Sequence, residues 1–106
     1  MEITFKNILL ANLYEGKKVK DKKFQFQPQI VKQYIKTLNI LRSLDKIEQA
    51  YQYNTLRYEK LSGNLKGKSS VSVNMQYRVI FQEIASETEP FEIILLDIED
   101  LSNHYS

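Results

Sequence analysis

One arginine stands inside an otherwise apolar run, Tyr77-Arg78-Val79-Ile80-Phe81. Read as a strand, the run puts Arg78 on one face with Ile80, Gln82 and Ile84, and Tyr77, Val79 and Phe81 on the other. A guanidinium in mid-strand needs an anion, a carboxylate partner or water. Two answers fit: a cross-strand salt bridge to Asp97 or Glu99, or a phosphate, which the forked donors of arginine suit well. His104 and Tyr105 are polar aromatics near the end of the chain. Such a tail commonly frays. Folded back towards Arg78, the imidazole and phenol are groups that can move protons or stack on a base.

Other chemistries are excluded. There is no Cys, so no disulfide framework, cysteine nucleophile, zinc–thiolate site or iron–sulfur cluster can form. The single His leaves no multi-histidine metal site within one chain, and a Ser-His-Asp triad would have to be assembled around His104 alone. Lys66-Gly67-Lys68-Ser69 matches only the end of a nucleotide-binding P-loop, and a strand pattern rather than a helix follows it. No metal or cofactor is expected.

The net charge of +2 conceals a division. Residues 1–81 carry 15 basic and 6 acidic side chains, a net of +9, while residues 82–106 carry 7 acidic and no basic ones, a net of −7. Either the fold interleaves the two signs, or a basic body is left to face a polyanion. The densest basic stretch, Lys17-Lys18-Val19-Lys20-Asp21-Lys22-Lys23, reads as a solvated inter-helix loop or as a phosphate-contacting arm.

The elements that must position these groups follow from periodicity. Residues 2–5 alternate like a short strand. Asn7 suits the cap of a short helix carrying Ile8, Leu9, Leu10 and Leu13, with Gly16 just past its end. Pro28 opens a longer helix whose apolar stripe runs Ile30, Val31, Tyr34, Ile35, Leu38, Leu41 and Leu44. Asp45 is placed to cap a further short helix with Ile47, Ala50 and Tyr51. Residues 56–61 are extended or loop-like, and Ser62-Gly63-Asn64 and Lys66-Gly67 have turn chemistry. Three strands are expected: 69–73, with alternating Ser and Val; 77–84, after a turn at Asn74-Met75-Gln76; and 91–98, apolar enough for a central or doubly covered position. Residues 99–106 are expected to leave the sheet as a tail. The chain reads as one α+β domain spanning residues 1–106. No stretch is long and apolar enough to span a membrane and the start lacks the pattern of a signal peptide, so a soluble cytoplasmic protein is expected.

Residues 56–67, Leu-Arg-Tyr-Glu-Lys-Leu-Ser-Gly-Asn-Leu-Lys-Gly, are similar to the loop before the central hairpin of HigB-like toxins in the RelE/ParE superfamily of type II toxin–antitoxin systems. Residues 70–81, Ser-Val-Ser-Val-Asn-Met-Gln-Tyr-Arg-Val-Ile-Phe, resemble the hairpin itself, and Ser102-Asn103-His104-Tyr105 resembles the tail of one branch of these toxins. The specific part of the resemblance is 56–81; the opening strand, the helical pair and the length are compatible with it.

The resemblance implies a RelE-like fold, a curved antiparallel sheet with two N-terminal helices packed against it in the order β-α-α-β-β-β. It implies a toxin neutralised by an antitoxin, often a HigA-like one with a helix-turn-helix domain, and cleavage of mRNA on the ribosome without a metal. In that reaction the ribose 2′-hydroxyl attacks the adjacent phosphate, which calls for a base, cations for the phosphorane charge and an acid for the leaving oxygen. Arg78 matches the strand arginine these nucleases use on the scissile phosphate. Glu59 falls where several relatives have a catalytic His, and Ser62 where relatives often have a Lys, leaving Lys60 as a substitute cation. His104 and Tyr105 come in the reverse order of the better-known Asp-Tyr-His ending, and either is a candidate acid or base. Arg57, Lys66 and Lys68 suit mRNA or ribosomal phosphates. Two alternatives stay open on the same fold: a gyrase-inhibiting toxin of the ParE kind, and a decayed toxin that only binds its antitoxin.

Overall fold

The computed structural model describes residues 1–103. Strand β1 (Glu2–Phe5) leads into helix α1 (Ile8–Tyr14), and helix α2 (Pro28–Ser43) follows after a lysine-rich loop with one 3₁₀ turn at Lys22–Phe24. Further 3₁₀ turns at Ile47–Gln52 and Asn54–Leu56 precede β2 (Glu59–Lys60), and another at Gly63–Leu65 precedes β3 (Ser69–Ser72). Strands β4 (Arg78–Ala85) and β5 (Ile93–Ser102) follow.

The local signals act as their chemistry dictates. The Asn7 side chain accepts the Leu9 amide at 2.8 Å and caps α1, and Gly16 follows the helix with φ +77. Pro28 is the first residue of α2. The 47–52 segment is a 3₁₀ helix capped at Lys46 rather than Asp45, with Ile47 and Ala50 buried and Tyr51 exposed.

The sheet order is β1-β5-β4-β3-β2. Strands β2 to β5 pair antiparallel, and β1 adds to the edge in parallel with β5, from Glu2 opposite Leu95 to Phe5 opposite Ile98. The family resemblance implied an antiparallel sheet, and this parallel edge strand is the difference. It is tied down by the Thr4 hydroxyl, which donates to Asp97 at 2.8 Å.

One face of the sheet carries Val71, Val79, Phe81, Leu96, Ile98 and Leu101, and packs on Leu10 and Leu13 of α1 and Tyr34, Leu38 and Leu41 of α2. The buried Tyr34 hydroxyl donates to the Leu10 carbonyl at 2.9 Å, which joins the two helices and leaves no orphan polar group there. The switch from Ile98 to Leu101 on one face follows from a register shift between Ile80 and Phe81: Phe81 faces Ile98 while Ile80 faces Asp100, so Glu99 is the extra residue of a bulge.

Strand β5 is longer than expected, because residues 99–102 continue it instead of leaving as a tail. Asp97, Glu99 and Asp100 break the apolar run, yet Thr4 and the lysines at Glu99 receive two of them. β5 is interior to the sheet order, but Ile94 is 53% exposed, so the strand is not covered on both faces at that end. No helix among the described residues is long and apolar enough to cross a membrane.

Candidate active site

Arg78 opens β4 and is flanked on both sides by serine, with Ser72 of β3 and Ser102 of β5 as its register partners. Because Val79 and Phe81 face the helices, Arg78 points to the opposite face of the sheet. Its side chain is only 13% exposed. The Nε donates to the fully buried Ser70 hydroxyl at 2.9 Å, and Nη2 donates to the Arg57 carbonyl at 2.5 Å. The Glu59 carboxylate lies 4.0 Å from Nη2. Of the two answers open in the sequence, the ion pair with Asp97 or Glu99 does not form. Asp97 faces Gln82 across the strands, and Glu99 is taken by Lys68, with Lys6 at 3.9 Å. Burial pulls the Arg78 pKa below its ordinary value, the nearby charge of Arg57 adds to this, and Glu59 opposes it. Arginine nonetheless keeps its charge at any physiological pH.

Arg57 reaches this site through an uncommon backbone. It has φ 46 and ψ 47, the one positive φ outside glycine among the described residues. Leu56 and Tyr58 on either side are buried. Tyr58 stacks near Phe81, and its hydroxyl donates to Glu83, which also accepts from Ser69. With both neighbours pinned inward, the left-handed turn directs the Arg57 carbonyl to Arg78 and leaves its exposed side chain beside the Met75 thioether, Nη2 to Sδ 3.2 Å.

The loop between β3 and β4 forms the other wall. Asn74 is its pivot: its side-chain oxygen accepts the amides of Gln76 and Tyr77, each at 2.8 Å, and its side-chain nitrogen donates to Gln33 of α2 at 3.1 Å. Asn74 thereby supplies the turn that glycine usually provides. Phe26 packs edge-on against Tyr77 and holds the start of β4. The result is a cleft of about 460 Å³ lined by Arg57, Ser72, Asn74, Met75, Gln76 and Arg78. Asn103, which follows β5, lines it as well. Two guanidinium groups with hydroxyl and amide groups suit an anion bearing a polar ring, such as a nucleotide phosphate.

The residues singled out in the sequence divide. Arg78, Glu59 and Arg57 come together. Lys60 does not join them, because adjacent residues of a strand point to opposite faces; Glu59 pairs with Ser70 and turns to Arg78, while Lys60 pairs with Ser69 and lines a separate hollow with Lys68 and Glu83. Lys68 is ion-paired with Glu99, and Lys66 is exposed after the 63–65 turn; neither lines the Arg78 cleft. His104 and Tyr105 lie outside the described residues. Sequence reasoning missed Ser70, Ser72, Met75, Gln76 and Asn103. Counting the hairpin outward from Met75, the middle of the turn, would have set Ser72 against Arg78, but the bond from Arg78 to Ser70 needs the folded side chain.

Comparison with known proteins bears on the fold and the family. Residues 3–92 match the family model described as the RelE-like toxin of the type II toxin–antitoxin system HigB. The chain is 34% identical over 88 residues to Toxin HigB-1 of Vibrio cholerae, covering 77% of this chain and 83% of that protein. Among solved structures, a YoeB/ParE toxin from Agrobacterium tumefaciens superposes with TM-score 0.52 at 16% identity, over 99% of this chain and 100% of the other. The YoeB-YefM complex from Staphylococcus aureus gives TM-score 0.50 at 19% identity, over 99% and 98%. A YafQ mutant from E. coli gives 0.51 at 17%, over 97% and 92%. These likenesses establish the RelE-like fold, and the sequence matches establish the family: the chain belongs to the HigB-like, RelE-like toxins of type II toxin–antitoxin systems.

Proposed function

We propose that the protein is a cytoplasmic toxin that cleaves mRNA on the ribosome and is held inactive by a cognate antitoxin. The observation that carries this reading is the Arg78 guanidinium, aimed by Ser70 and the Arg57 carbonyl at a cleft of nucleotide size. In the proposed step the ribose 2′-hydroxyl gives its proton to Glu59, and the 2′-oxygen forms a bond to the adjacent phosphorus. The bond from phosphorus to the 5′-oxygen breaks, leaving a 2′,3′-cyclic phosphate. Arg78 and Arg57 balance the charge on the non-bridging oxygens, so the step calls on no metal ion. The leaving oxygen takes a proton from an acid, for which His104 and Tyr105 are the candidates, since they follow Asn103, a lining residue of the cleft, in sequence. Glu59 stands 4.0 Å from Arg78, so an incoming phosphate displaces it from the cation and leaves its carboxylate beside the ribose.

Inducing the gene in a bacterial host tests the reading. Growth arrest with transcripts cut inside codons is expected, with Arg78→Ala relieving both and supercoiling by gyrase untouched. Inhibited gyrase with intact transcripts would overturn it in favour of a ParE-like action.

A further inference from the structure

We propose that Glu83, on the face of the sheet opposite Arg78, is a positioning residue for cleavage: its one carboxylate fixes both groups that aim the Arg78 guanidinium. This rests on the reading above that Arg78 acts on RNA. The aiming groups, the Ser70 hydroxyl and the Arg57 carbonyl, come from different parts of the chain. Each belongs to the immediate neighbour of a residue tied to Glu83, because the Ser69 and Tyr58 hydroxyls both donate to its Oε2.

Strand alternation builds this arrangement in two layers. Phe81 and Glu83 share one face of β4, and Ser69, the register partner of Phe81, joins them there. Ser70, the partner of Ile80, shares the other face with Arg78. Tyr58 and Glu59 divide in the same way where the chain enters β2: the phenol turns to Glu83 and the carboxylate to Arg78. The tie on one face therefore fixes the backbone that presents Arg57, Glu59 and Ser70 on the other. Glu83 itself lies five positions beyond Arg78 on β4, roughly 16 Å along an extended chain, so it acts through that backbone and not by contact.

Packing alone does not call for a carboxylate here. The Tyr58 ring is already buried and stacked near Phe81, and a half-buried acid is a costly way to fill space. Charge balance does not call for it either. Lys60 and Lys68 line the same hollow as Glu83. Lys68 nonetheless pairs with Glu99, and among the described residues no lysine comes within ion-pair distance of Glu83. The carboxylate is given to two hydroxyls instead, and it holds them more strongly than a neutral acceptor would. Burial, aided by the bond to Glu83, keeps the Tyr58 pKa above its ordinary value, so the phenol remains a donor.

The test compares Glu83→Leu, which removes the acceptor, with Glu83→Gln, which keeps an oxygen able to take both hydroxyls. Cleavage of a defined mRNA on ribosomes is measured beside the Nε–H signal of Arg78 in isotope-labelled protein, and urea denaturation gives the folded fraction. Glu83→Leu is expected to lower kcat about tenfold or more with KM little altered and the chain folded. Its Arg78 Nε–H should exchange faster with solvent, and Glu83→Gln should retain most of the rate. In an Arg78→Lys background, which has no fork to aim, Glu83→Leu should cost less than about threefold, whereas a general loss of structure would cost the same factor in both. If Glu83→Leu does not fold, Ser69→Ala removes one of the two bonds and takes its place in each comparison. A wild-type rate without the acceptor, an unmoved Arg78 signal, or equal losses in both backgrounds would overturn the proposal. A wild type that leaves mRNA uncut would count against the nuclease reading instead, and the Arg78 signal would still decide the positioning.

Discussion

The Arg78 side chain is aimed by the backbone of Arg57: Nη2 donates to the Arg57 carbonyl at 2.5 Å, and that carbonyl faces the guanidinium because Arg57 sits in the left-handed region at φ 46. The site is thus built on a turn that an L-residue adopts at some cost, of the order of 1–2 kcal/mol, and that buried Leu56 and Tyr58 enforce.

Arg57→Gly and Arg57→Val are expected to diverge. Glycine accepts the turn without strain but loosens the unfolded chain, so stability should change by no more than about 1 kcal/mol. A β-branched valine should lose about 1–2 kcal/mol or more. Urea denaturation measures both. The glycine variant should still bind RNA less tightly, since it keeps the carbonyl and loses the cation.

Ser70 is a positioning residue. It is fully buried and accepts the Arg78 Nε bond at 2.9 Å. Ser70→Ala removes that acceptor, with an expected loss of about 1–3 kcal/mol in stability. A guanidinium displaced by an ångström is expected to slow cleavage by about 10²-fold with KM little altered. Ser70→Thr, which keeps the hydroxyl, should restore most of the rate. A KM effect with unchanged kcat would point to a purely binding role.

Glu59→Gln separates binding from chemistry. In the proposed step the carboxylate, 4.0 Å from Arg78, competes with phosphate for it and serves as the base. Tighter RNA binding together with single-turnover cleavage slowed by about 10²–10⁴-fold is expected. Unchanged cleavage would move the base elsewhere in the site.

Two tyrosines should mark the alkaline limit of the fold. Burial holds the Tyr34 phenol above its ordinary pKa of 10.0, helped by Tyr14. Burial does the same for Tyr58, helped by its bond to Glu83 and the charge there. A proton held more tightly in the folded chain stabilises it fully below pH 10.0, and that contribution is lost as pH climbs above 10.0 towards the folded value. Stability measured by urea should fall above pH 10, and less steeply in Tyr58→Phe. Ultraviolet titration should find these two phenols ionising last, together with unfolding.

Much of this was legible in residue order. The Asn7 cap, Pro28 and the stripe from Ile30 to Leu41 announce both helices because local chemistry decides them. Arg78 was visible as the cation inside a strand. Its surroundings were less so. The bulge at Glu99 shifts which β5 residues face inward, so simple alternation cannot place Ser102 opposite Arg78 or deny Asp97 and Glu99 to it. The parallel pairing of β1 with β5 joins residues more than ninety positions apart and leaves no local trace. Lys60 was separated from Glu59 by nothing but the period of a two-residue strand, evident once β2 is paired with β3.

The central claim is that Arg78 stabilises the transition state of RNA cleavage from its cleft. Purified protein, ribosomes and a defined mRNA, with cut positions and rates compared for the wild type, Arg78→Lys and Arg78→Ala, test it most directly. Cuts ending in a cyclic phosphate are expected. Arg78→Ala should lose about 10²-fold or more in rate, and Arg78→Lys, which keeps the charge but not the fork, should cleave at an intermediate rate. Full cleavage by Arg78→Ala, at the same positions and rate, would contradict it.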